Sequence, residues 1–184
     1  DGGTRAVAEL ATGLAEQGHA VHALALATSK HPDRGGATPP GVRQESIAVD
    51  TGLRPLSALA NLARDLPYAV ERFASRAFAA RLGQLLASAP DVVQLEGLPV
   101  APCQQQALAA GARVVFRAHN VEAEIWRQRA AAARWPLSVW LRAQAQRVAR
   151  LEQGCWRSAH AVAAISPAVA QACRPTAGGP VLDL

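Results

Sequence analysis

The chain has 184 residues, half of them hydrophobic and 18% charged, enough to bury a real core as one folded domain spanning 1–184. Nineteen basic residues against fourteen acidic ones give a net charge of +5, which suits anionic partners, but no paired zinc ligands, aromatic RNA-binding strand or compact basic helix points to nucleic acid. No apolar run approaches the roughly 18 residues that a membrane-spanning helix needs, the start lacks a signal peptide's basic and apolar regions, and three scattered cysteines (Cys103, Cys155, Cys173) make no disulfide framework.

Val7, Leu10, Ala11 and Leu14 share one face at helical spacing, which predicts a helix over residues 4–17, with Gly18 as its C-cap. A strand is expected over 20–27, then a glycine- and proline-rich loop over 29–41 and a short strand over 45–49. Residues 55–88 read as helices broken near Pro67. Their apolar positions, Leu56, Leu59, Leu62, Leu66, Val70, Phe73, Phe78, Leu82 and Leu85, predict a packed face, with Arg64, Arg72, Arg76 and Arg81 on a wet one.

The pattern continues with a strand over 92–95 ending in Glu96-Gly97, a helix over 100–110 stopped by Gly111, and a strand over 113–117. A long helical region over 121–157 is interrupted at Trp135-Pro136. A strand over 161–166, a short helix from Pro167 to Cys173 and the start of one more strand follow. Strands alternating with helices predict an α/β fold with a parallel sheet covered on both faces.

In such sheets ligands bind at the carboxyl ends of the strands. Glu96, His119 and Ser166 fall there, and Arg117, His119 and Asn120 form a polar cluster between an apolar strand and a helix. A neutral imidazole so placed can hydrogen-bond a ligand and shift its charge near neutral pH. Asn120 reads as a cap of the following helix, with Glu122 and Glu124 favourable to its dipole. Glu96 has no partner near it in sequence and reads equally as a ligand-binding or a solvated carboxylate. His19 and His22 read as structural, and His31 and His160 have no evident partner.

Five stretches in order, DGGTR, LAEQGHAVHALAL, DVVQLEGLP, RAHNVEAEIW and RVARLEQGCWRSAHAVAAISPA, make nearly the whole chain resemble the amino-terminal domain of family-4 glycosyltransferases of the GT-B type. RAHNVE is the most specific of them. The resemblance implies a Rossmann-like, doubly wound parallel sheet forming one half of a two-domain enzyme. It implies retaining transfer of a sugar from a nucleotide-sugar donor, used as co-substrate, to a glycan or lipid-linked acceptor, with no metal cofactor. It also implies that His119 contacts the transferred sugar, that Gly2 and Gly3 lie beside the donor diphosphate, and that Glu96, Arg117, Asn120 and Glu122 serve acceptor or sugar binding.

The family places a hydrophobic strand before DGGTR and a carboxyl-terminal donor domain after this region. Neither is in the 184 residues, which contain no methionine. The chain therefore reads as a piece cut from a longer protein and inactive by itself. Without the first strand, an order of 3-2-1-4-5-6 predicts two separate groups of strands flanking a one-strand gap. The same reading places the protein in the cytoplasm, with the 55–88 helices as a candidate surface for anionic membrane. Two rivals remain open at this point: a sugar-nucleotide epimerase of similar build, and a non-catalytic binding or scaffold domain.

Overall fold

The computed structural model describes residues 2–32, 38 and 40–184. In chain order the elements are α1 (Gly2–Glu16), β1 (Val21–Ala27), β2 (Val42–Ala48), α2 (Pro55–Ala60), α3 (Tyr68–Glu71), α4 (Arg76–Leu86), β3 (Val92–Glu96), α5 (Gln104–Ala109) and β4 (Arg113–Ala118). They continue with α6 (Glu122–Ala132), α7 (Leu137–Ser158), β5 (Ala161–Ala164), α8 (Pro167–Cys173) and β6 (Val181–Asp183). Short 3-10 turns cover Asn61–Ala63 and Leu98–Cys103. Two compact units result: the residues up to Thr51 with Ser75–Phe78, and Gly52–Ala74 with Ala79–Leu184.

In the first unit β1 and β2 run parallel, in register from Val21 opposite Val42 to Ala27 opposite Ala48. Helix α1 ends as its glycine predicts. Gly18 has φ 88°, and the N–H groups of Gly18 and His19 turn back to the carbonyls of Ala15 and Leu14. Gly2 and Gly3, expected just ahead of the helix, form its first turn instead. Strand β2 opens three residues earlier than expected, which brings Glu45 within 2.8 Å of His22 on β1. Six positions of the expected loop over 29–41, residues 33–37 and 39, lie outside the described residues.

The second unit holds four parallel strands in the order β3-β4-β5-β6. No described strand of one sheet is hydrogen-bonded to a strand of the other, which is the pairing expected of a doubly wound order lacking its first strand. Val114 and Val162 in the middle of the larger sheet are fully buried. The long helix α7 buries Gln144, Ala145, Val148, Glu152, Cys155 and Trp156 at helical spacing and packs along α6. No helix among the described residues is long and apolar enough to cross a membrane.

The 55–88 region departs from its expected packing. It breaks at Pro67, and Val70, Phe78, Leu82 and Leu86 are buried, but Leu56, Leu59 and Leu62 lie exposed. Polar side chains hold this segment to α7. Gln144 accepts from the Tyr68 N–H at 2.8 Å and donates to Asn61 Oδ1 at 2.9 Å, and Arg147 donates to the Asn61 carbonyl at 2.7 Å. Asn61 and Gln144 are both wholly buried, so the bond between them is shielded from water.

Candidate active site at the strand ends

Strands β3 and β4 pair in register, so Glu96 stands opposite Arg117 at their carboxyl ends. The neighbour of Arg117 on the other side is Ala163 of β5, whose methyl group leaves room for a long side chain. His119 follows just past the end of β4 and returns to the same carboxylate. Its Nε2 lies 2.8 Å from Glu96 Oε2, and Arg117 Nη1 lies 3.4 Å from that oxygen. Gln94 donates to the other oxygen, Oε1. Gln94, Arg117 and His119, from two adjacent strands, thus converge on one acidic group.

The electrostatics fix the roles. Burial by itself raises the Glu96 pKa, but the hydrogen bonds from His119 and Gln94 and the charge of Arg117 outweigh it and hold the carboxyl below its ordinary value. Glu96 is therefore ionised at neutral pH and can only accept. Nε2 of His119 must carry the proton it shares with Glu96, which sets the tautomer and the ring's orientation. About a quarter of the His119 side chain remains exposed, at 26%. Arg117 is 90% covered, and its Nε has no hydrogen-bond partner.

Gly97 shapes the turn that follows β3. Its φ of 78° and ψ of −177° suit glycine and few other residues, and a Cβ there would sit 3.5 Å from His119 Cδ2. Its N–H donates to the Arg117 carbonyl at 3.1 Å, extending the β3–β4 ladder by one bond.

Of the residues singled out in the sequence, Glu96, Arg117 and His119 come together. Glu96, which has no partner near it in sequence, has both its oxygens engaged in the fold and holds His119. Asn120 does not cap the following helix. The N-cap position of α6 is Val121, with no side-chain cap bond of its own, and Asn120 is exposed beside the cluster. Glu124 pairs at the surface with Arg127 and Gln128. Ser166 caps α8 through the Val169 N–H. His160, which had no evident partner, accepts from the Val114 N–H at its Nδ1. All three cysteines are free, and burial pushes each thiol up, so none is a ready thiolate.

The residue that sequence reading missed is Glu152. From the buried face of α7 its carboxylate accepts the Glu122 N–H at 2.7 Å and the Ala123 N–H at 3.2 Å, capping α6 directly after the polar cluster. A signal was present: Glu152 falls at i+4 from Val148 and i−3 from Cys155, on the apolar stripe, where an unpaired carboxylate is rarely found.

In the first unit, Ala27, Thr28, Ser29, Ala48, Val49 and Asp50 line a concavity of about 410 Å³ at the carboxyl ends of β1 and β2. Both sheets therefore present shaped or polar features on the edge where parallel sheets take ligands. A family model described as a glycosyl transferase 4-like domain matches residues 1–181. No curated protein matches the chain.

Proposed function

Because the chain belongs to the glycosyl transferase 4-like domain family, which spans residues 1–181, we propose that it supplies the acceptor-side half of a retaining glycosyltransferase. The reaction moves a sugar from a nucleotide-sugar to a glycan or lipid-linked acceptor. The observation that carries this reading is the convergence of His119 and Arg117 on Glu96 at adjacent strand ends.

The cluster is built to position and to stabilise charge. With Nε2 committed to Glu96, the other ring nitrogen of His119 is left to hydrogen-bond a sugar hydroxyl. Arg117 keeps a fixed positive charge at the same strand end, and its Nε has bonding capacity to spare. Preorganised groups of this kind favour a transition state in which charge separates between sugar and leaving diphosphate. Glu96, engaged on both oxygens, is poorly placed to attack the anomeric carbon, so retention here does not run through a covalent intermediate on Glu96. Asn120 and Glu122 flank the cluster for acceptor hydroxyls, and the Gly2–Gly3 turn at the start of α1 offers helix N–H groups to the donor phosphates. Remaining donor contacts come from a further domain, and the enzyme works in the cytoplasm at the inner face of a membrane.

The test is a panel of nucleotide-sugars offered to the intact protein, with nucleoside diphosphate release followed with and without acceptor extract. Acceptor-dependent release from one donor is the expected result. Conversion of a nucleotide-sugar to its epimer without any acceptor would overturn the transfer reading.

A further inference from the structure

From His119, just past β4, the chain passes through Asn120 and Val121 to Glu122, where α6 begins. Val121, at the N-cap position, makes no side-chain cap bond. Its carbonyl accepts from the N–H groups of Glu124 and Ile125 at 3.1 and 3.4 Å. The N–H groups of Glu122 and Ala123 need an acceptor from outside the helix. Glu152 of α7 supplies it to both: Oε1 lies 2.7 Å from the Glu122 nitrogen and Oε2 3.2 Å from that of Ala123. The fully buried residues of α6 are Ala123 and Ala130, small side chains that interlock weakly with α7. The paired bonds to Glu152 therefore contribute much of what fixes where α6 starts.

A carboxylate accepts at both oxygens, whereas a protonated carboxyl turns one of them into a donor and holds one N–H poorly. The charge on Glu152 thus decides how firmly the turn is tied. Burial raises its pKa and the two N–H groups lower it; from α6 the Glu122 charge raises it and the Arg127 charge lowers it, leaving about 7. Cys155 on α7 and Cys173 on α8 also feel the Glu152 charge. Their thiols, pushed up to about 12 and about 11 mainly by burial, stay neutral where Glu152 titrates.

We propose that Glu152 is a positioning residue for the transfer reaction: its ionised carboxylate ties the start of α6 and so sets the turn from His119 to Glu122 against the sugar, and protonation loosens that turn. This rests on the reading of the strand-end cluster as the transfer site. Glu152 touches no substrate and acts through the backbone of Glu122 and Ala123.

The test uses the full-length protein, wild type and Glu152→Gln, whose carboxamide matches a protonated carboxyl in size and charge. Hydrogen exchange of the peptide spanning 119–125, read without substrate and corrected for the intrinsic effect of pH, reports the tie. From about pH 6 to about pH 8, wild-type protection is expected to rise about tenfold, and protection in the variant to stay low and flat. Transfer from the donor found by the nucleotide-sugar panel is measured over the same range. The two values of kcat are expected to agree within about twofold at about pH 6, with the variant about tenfold slower at about pH 8. His119 is the same in both proteins, so their ratio isolates Glu152.

Wild-type protection that does not change with pH, or variant protection that follows the wild type's, would overturn the proposal. So would a rate ratio constant across pH, which a merely structural loss gives. If the variant does not fold, wild-type exchange decides alone. Transfer that persists with flat protection would overturn the positioning role and leave the proposed function standing. Protection that rises with pH in a protein that transfers no sugar would overturn the proposed function, and the positioning role with it.

Discussion

Glu152 joins two opposing demands. Burial disfavours its ionised form, while the N–H groups of Glu122 and Ala123 at the start of α6 favour it. Burial is the larger effect, and the carboxyl is pushed up to about 7. The folded chain therefore holds a proton that the unfolded chain releases near its ordinary value. The resulting stabilisation is complete below pH 4.5 and is lost as pH rises through about 7. Glu152→Gln should flatten this slope, by an amount on the order of 3 kcal/mol between the two limits, and urea unfolding of both proteins at several pH values reads the difference. Equal slopes would show that the carboxyl titrates normally.

Gly97 holds a backbone conformation that few other residues adopt. Gly97→Ala should cost about 1–3 kcal/mol of stability through its backbone conformation and should weaken transfer by moving Glu96 from beneath His119; a thermal melt and a rate measure each part. His119 and Arg117 were legible in sequence because polar residues at the end of an apolar strand stand out. That His119 lies near Glu96 was legible too, because both sit at strand carboxyl ends; the pairing of Arg117 with Glu96 was not, because strand register sets it. Glu152 escaped for the same kind of reason: its partners lie 29 and 30 residues away across a helix–helix contact.

Among elements, the segment from α2 to α3 shows where sequence periodicity misleads. Leucines at helical spacing usually mark a packed face, yet here the buried anchor is polar. Asn61, fully buried, donates to the Leu66 carbonyl at 2.8 Å and to Glu71, and accepts from Gln144. The break at Pro67 and the interruption at Trp135-Pro136 were readable, because proline cannot continue a helix. The outward turn of Leu56 and Leu59 was not, because it follows from bonds between α7 and residues more than 80 positions earlier. Asn61→Ala should therefore destabilise the second unit by about 2–3 kcal/mol, because the Gln144 side-chain N–H and the Leu66 carbonyl lose the bonds Asn61 gives them. Chemical denaturation gives the value, and a cost under about 0.5 kcal/mol, the range of an ordinary surface change, would mean that water replaces the network.

At the scale of the whole molecule, the alternation of strands and helices and the parallel pairing β1-β2 and β3-β4-β5-β6 are what the order of the sequence segments requires. The larger sheet brings its chemistry to one edge because parallel strands all end on the same side. Glu96 ends β3, Arg117 lies one residue from the end of β4, and His119 follows it. The proposed transfer at this edge runs through His119. The most direct measurement is the turnover of the intact protein, wild type against His119→Ala, on its preferred nucleotide-sugar, with unfolding followed in parallel. Loss of about a hundredfold in turnover with an unchanged unfolding midpoint is the predicted result. A variant that transfers sugar at the wild-type rate would contradict it.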